Sequence, residues 1–135
     1  MKKYLILLFI FLLTGCFGNV GKGELTNICT KTIKTENLED ITTYEIKFKQ
    51  DVINEVKVTK YYNGSEDIIK SIIKSYESQI NLYEVKTETE KNNNSYKIVY
   101  YFSGNVNEKL KDDFYLQTER SRQVKKLEEL GFECK

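Results

Sequence analysis

The chain has 135 residues, with 21 lysines and arginines against 20 aspartates and glutamates, and neither histidine nor proline. A formal net charge of +1 argues against nucleic acid and against a strongly acidic ligand as partner. Without histidine the commonest general base and the commonest zinc ligand are missing, which excludes a Ser-His-Asp or Cys-His centre; no metal and no cofactor is expected.

The N-terminus reads as a targeting segment. Lys2 and Lys3 give it a positive start, Tyr4 to Leu13 is almost purely apolar, and Thr14 and Gly15 are small, as signal cleavage requires. The apolar run is too short to span a hydrocarbon core of about 30 Å as a stable helix. Leu13-Thr14-Gly15-Cys16 resembles the lipobox of bacterial lipoproteins. That resemblance implies loss of residues 1–15 as a signal peptide and a lipid on Cys16. It implies a membrane as partner and a place on the extracytoplasmic face of the cell membrane. A buried CH₂ contributes about 0.8 kcal/mol, so one acyl chain binds marginally and two or three hold stably. The competing readings are an ordinary secretory peptide that contains a cysteine, or an uncleaved anchor. Phe17 follows the cysteine; in a host with two membranes, the lack of an acidic residue there argues weakly against retention at the inner one. Residues 16–24, with Gly18, Gly21 and Gly23, read as a flexible tether, and residues 25–135 as a single domain.

Three cysteines are present. With Cys16 lipidated, Cys29 and Cys134 remain at the two ends of the domain, and outside the cytoplasm such a pair is usually a disulfide. A free nucleophile is the competing reading. A metal pair would need further ligands, and histidine is absent.

Within the domain, Cys29 to Lys34 alternates loosely and predicts a strand, and Thr35 to Asp40 reads as a polar turn. Thr43 to Lys49 puts Tyr44, Ile46 and Phe48 on one face and charges on the other, the pattern of a sheet wet on one side. Glu55 to Tyr62 follows as a third strand, with Val56 and Val58 inward. Ser65 is placed to cap a helix whose apolar stripe is Ile68, Ile69, Ile72, Ile73, Tyr76 and Ile80. Tyr83 to Glu90 and Tyr96 to Phe102 predict two more strands, the second apolar on both faces. Asn107 can cap a short helix carrying Leu110 and Phe114. Thr118 or Ser121 can cap a last helix with Val124, Leu127 and Leu130 inward, ended by Gly131 in the left-handed conformation.

The lipobox, a small Lys/Thr/Tyr-rich domain and the closing stretch from Val124 through Gly131-Phe132 to Lys135 together resemble the YehR-like family of small bacterial lipoproteins. That family has no assigned function, so the resemblance implies a fold and a location and no site. The expected architecture is α+β: an antiparallel sheet of about five strands with one long helix and a C-terminal helical segment packed on it.

Signals for chemistry are few. The glycines of the tether precede no helix, so no phosphate-binding loop is present. Asp112-Asp113 and Glu39-Asp40 are adjacent carboxylates, and neighbours in sequence point apart, so they read as solvated charge. Arg120, Arg122, Lys125 and Lys126 form a small basic cluster, either a solvated helix face or a contact for anionic headgroups. Tyr-Tyr pairs at 61–62 and 100–101 mean that one ring of each must leave the core face. Tyr61 and Tyr101 are therefore candidates for a recognition patch, against the alternative that they pack under the last helix or shield the sheet. The expectation is a non-catalytic binding or envelope-accessory module. The alternative is a small envelope hydrolase built on carboxylates and tyrosine. A pocket with two opposed carboxylates would favour the hydrolase, and an exposed tyrosine patch would favour binding.

Overall fold

The computed structural model describes residues 23–103 and 106–135. Strands β1 (Leu25–Lys34), β2 (Leu38–Lys49) and β3 (Val52–Gly64) form a meander. Helix α1 (Glu66–Gln79) and a 3₁₀ turn (Ile80–Leu82) follow, then strands β4 (Lys86–Lys91) and β5 (Ser95–Ser103). Helices α2 (Glu108–Asp113) and α3 (Arg120–Glu129) and a last strand, β6 (Glu133–Cys134), complete the chain. Every strand pair is antiparallel, in the order β4-β5-β3-β2-β1-β6. The architecture is α+β, as alternation predicts. Among the described residues the sheet has six strands where about five are expected, and three helices cover it. The extra strand is the two-residue β6, too short to announce itself by any pattern.

One face of the sheet carries the core. Cys29, Tyr44, Val58 and Tyr100 stand in one cross-strand row, and Ile46, Val56 and Phe102 in the next. All seven are buried. Ile69 of α1 and Leu127 of α3 close over them with no exposed surface. Of the predicted stripe, Ile72, Ile73, Tyr76 and Ile80 pack on the same cluster, while Ile68 lines the hollow beside Leu38. The other sheet face is laced by cross-strand ion pairs, Lys57–Glu45 at 2.6 Å and Lys47–Glu55 at 3.1 Å. Each such exposed pair adds little stability, but the ladder of alternating charge penalises a register slip. Edge strand β4 reads Lys-Thr-Glu-Thr-Glu-Lys, which discourages pairing with another chain.

β2 begins at Leu38, five residues before the alternation becomes clean. Leu38, Glu39 and Asp40 belong to the stretch that reads as a polar turn, yet from Glu39 onward the chain lies between two strands that both pair with it. Its backbone is satisfied from both sides, and that outweighs weak local propensity.

The helix ends follow local chemistry at some points and distant chemistry at others. Asn107 Oδ1 accepts from the Leu110 N–H at 2.9 Å, as predicted. Ser65 sits at the N-cap of α1 but its hydroxyl makes no capping bond. For α3, Glu119 holds the N-cap position, and the orphan donors are met from outside. Asp51, in the β2–β3 turn, accepts from the Ser121 N–H at 2.8 Å and from its hydroxyl at 2.7 Å. At the other end Gly131 takes φ 90°, the Phe132 N–H reaches Leu127 O and the Gly131 N–H reaches Glu128 O, each at 3.0 Å. This is the Schellman arrangement. It turns the chain so that Phe132 meets the Tyr44 ring edge-on at 5.3 Å and β6 falls beside β1.

Candidate functional site

The cysteine pair is formed. Cys29 and Cys134 are directly opposite on β1 and β6, bonded at 2.02 Å with Cα atoms 4.0 Å apart. Ile28 and Lys135, one position along, exchange both backbone bonds at 2.9 Å. The cysteines thus occupy a non-hydrogen-bonded site, where opposed residues come closest. Cys16 and the rest of the lipobox lie outside the described residues.

Most tyrosines belong to the interior. The Tyr44 hydroxyl donates to Phe114 O at 3.0 Å, and the Tyr62 and Tyr76 hydroxyls share a 2.6 Å bond. Burial is the main cause that pushes Tyr44, Tyr62, Tyr76 and Tyr100 above the ordinary phenol value of 10.0. A phenol whose folded pKa is raised stabilises the fold fully below pH 10 and loses that contribution as pH rises beyond it. We therefore expect the denaturation midpoint to hold up to about pH 9 and to fall above about pH 10. Tyr44→Phe should lower stability by about 1–3 kcal/mol at neutral pH, because Phe114 O loses its donor, while making the alkaline fall shallower. Urea titrations at several pH values check both.

Tyr61 and Tyr101 do leave the core face, but the structure does not bring them together. Tyr61 pairs with Lys97 and Tyr101 with Lys57, with the Thr59–Val99 pair between them. Tyr101 is engaged further, donating to Glu88 Oε2 at 3.0 Å beneath the Lys86 ammonium, 4.6 Å from its ring centre. What the open face offers at this point is a Lys/Glu lattice with two separated rings.

Three concavities lie elsewhere among the described residues. One, of about 260 Å³, opens where β3 begins and β5 ends; Ile53, Val56, Phe102, Val106 and Leu116 line it, with Glu55 and Lys111 among the polar groups. A wider hollow beside it, of about 530 Å³, has Glu55 and Glu84 in its wall. The third, of about 430 Å³, lies between the flank of α1 (Ile68, Ser71, Ile72, Ser75) and Leu38 of β2.

Beside this last hollow the helix-covered face turns polar. Lys31, Thr42 and Lys60 are cross-strand partners in one row, and Asp40 lies in the next row on the same face. Asp40 belongs to a pair that reads as solvated in the sequence, yet its Oδ1 is buried and accepts no hydrogen bond among the described residues. Desolvation raises the Asp40 carboxyl above its ordinary value and outweighs the attraction of Lys60 and Lys31. Desolvation likewise lowers the Lys60 ammonium, against the pull of Asp40. In a closed ion pair attraction would dominate and both shifts would run the other way. No ion pair joins Asp40 to either lysine among the described residues. Lys31 is held by the end of α3, donating to Leu130 O at 2.7 Å. Sequence reasoning missed this cluster because Asp40 lies in a stretch read as a turn, and the alternation that would have turned it inward was not visible.

No family model and no curated protein sequence matches the chain. Two solved structures are similar to it in fold. The NMR structure of the E. coli YehR protein has 14% identity and a TM-score of 0.56, covering 85% of this chain and 93% of that one. The NMR structure of a protein from Streptococcus pneumoniae TIGR4 has 12% identity and a TM-score of 0.52, covering 84% and 86%. Identities this low carry the fold alone, and the fold is YehR-like.

Proposed function

We propose that the protein is a lipid-anchored, extracytoplasmic member of the YehR-like lipoproteins that acts as a non-catalytic binding module. The observation that carries the reading is the pairing of Cys29 with Cys134, which leaves Cys16 as the remaining thiol, at the end of the Leu13-Thr14-Gly15-Cys16 motif. A disulfide that closes the two ends of a domain belongs to an oxidising compartment, where a lipobox cysteine is processed. Binding is favoured over hydrolysis by the state of the tyrosines, since the Tyr44, Tyr62 and Tyr76 hydroxyls are bonded within the protein. The hydrolase alternative has one observation on its side, the presence of Glu55 and Glu84 in one hollow. Glu55, however, is already paired with Lys47.

Fractionation of cells expressing Cys16→Ala tests the anchor. The native protein is expected with the membranes, and the variant in the soluble or unprocessed pool. Retention of a processed variant on the membranes would defeat the reading.

A further inference from the structure

The chain enters the fold at one end of the sheet. Leu25, the first residue of β1, is paired with Phe48, and Phe48 with Ile53 of β3, so the β2–β3 turn lies at the same end. Glu24 is tied to the start of β3, its Oε2 accepting from Asn54 Nδ2 at 2.9 Å. Apolar surface is gathered here. Val52 keeps 61% and Leu25 42% of its surface exposed. The 260 Å³ hollow lined by Ile53, Phe102 and Leu116 opens at this end too, with Val52 in its wall. Arg120 lays its guanidinium over the Phe48 ring, 5.2 Å from the ring centre. The acidic groups nearby are engaged, Asp51 with Ser121, Glu119 with Arg122 and Glu55 with Lys47. Lys49 and Arg120 are left without an ion-pair partner among the described residues.

We propose that this end of the domain rests on the surface of the lipid bilayer, with Leu25 and Val52 in the headgroup layer and Lys49 and Arg120 among the phosphates. The proposal rests on the lipid-anchored reading and adds which surface of the domain the membrane covers. The stretch from Cys16 to Gly23 spans at most about 25 Å when fully extended. It joins the fold beside Leu25, so a lipid on Cys16 holds this end nearest the bilayer. A short link sets a local concentration of roughly millimolar, so a contact of only millimolar affinity is occupied about half the time. Arg120, laid over Phe48, has the form of a side chain that buries its stem at such a boundary and keeps its charge in the polar layer.

The protein has no tryptophan, so a single introduced one reports alone. Val52→Trp and Ile33→Trp are each prepared in the lipidated protein and reconstituted into vesicles of phosphatidylethanolamine and phosphatidylglycerol, with and without bromine near the headgroup end of the acyl chains. Ile33 keeps 51% of its surface exposed but lies about 26 Å from Leu25 along β1. The tryptophan at 52 is expected to shift to the blue on reconstitution and to lose fluorescence to brominated lipid, and the one at 33 to do neither. Equal quenching at the two positions, or none at 52, in protein that floats with the vesicles would overturn the proposal and leave the anchor standing. Protein that does not float with the vesicles would defeat the anchor reading and this proposal with it. The native protein gives the same answer without a substitution. A spin-labelled lipid in a nanodisc should broaden the amide signals of Leu25 and Val52 and spare that of Ile33, and the reverse pattern, or no broadening, would contradict the proposal.

Discussion

Replacing Cys134 with alanine is expected to lower the unfolding free energy by about 4–5 kcal/mol, the contribution of a crosslink closing a loop of on the order of 100 residues. The loop here spans 105 positions. The loss is large because a small domain has only about 5–15 kcal/mol of net stability. It is also concentrated. β6 has two residues, and its pairing with β1 covers Cys29 and Thr30 only. Without the bond, the C-terminus is held by the Phe132–Tyr44 contact, the Ile28–Lys135 pair, and the Asn27 and Lys31 side chains, which donate to Lys135 O and Leu130 O. Reduction of the native protein should therefore loosen residues 130–135 before the rest. Denaturant titration of oxidised and reduced protein gives the magnitude, and amide exchange gives the place. A reduced protein of unchanged midpoint would contradict the account.

The second large effect comes from a residue that looks unimportant in the sequence. Gln123 lies on α3 and has no exposed surface. Its Oε1 accepts from the Gln117 N–H at 2.7 Å and its Nε2 donates to Tyr115 O at 3.0 Å. It thereby ties down the loop between α2 and α3, where Tyr115 is held at φ 54°, a conformation that non-glycine residues seldom adopt. Gln123→Ala removes both bonds and leaves a donor and an acceptor unmatched in a part-buried loop. Each orphaned group costs about 1–3 kcal/mol, so a loss of about 2–4 kcal/mol is expected after partial hydration. Gln123→Glu should do no better, since it restores the acceptor but places a charge where a donor is needed. The measurement is the urea midpoint of each variant at neutral pH. A loss below about 0.5 kcal/mol, the range of ordinary surface substitutions, would mean the loop does not depend on this side chain.

These two sites mark where the sequence is legible and where it is silent. Periodicity sufficed for β3, β5 and α1, because Val56, Val58, Ile98, Tyr100 and the isoleucine stripe advertise their faces. Local chemistry sufficed for Asn107 and Gly131, whose caps depend on neighbours a few residues away. It failed wherever the partner is remote. The start of α3 is satisfied by Asp51, 70 positions earlier, and Glu119 takes the N-cap position in place of the expected Thr118 or Ser121. Gln123 is not among the residues that helical spacing turns inward, which are Val124, Leu127 and Leu130, and its burial comes from the loop it serves. Asp40 reads as a turn carboxylate until β1 and β3 enclose its strand. The tyrosine pairs were half legible: alternation says that Tyr61 and Tyr101 leave the core face, and cannot say that Thr59 and Val99 separate them.

The most direct measurement is the intact mass of the protein taken from its host's membranes, before and after reduction with alkylation. The expected result is a chain beginning at Cys16 with added acyl mass, taking up no alkyl groups until it is reduced and then two. A chain that still begins at Met1, or one whose Cys29 and Cys134 alkylate freely without reduction, would contradict it.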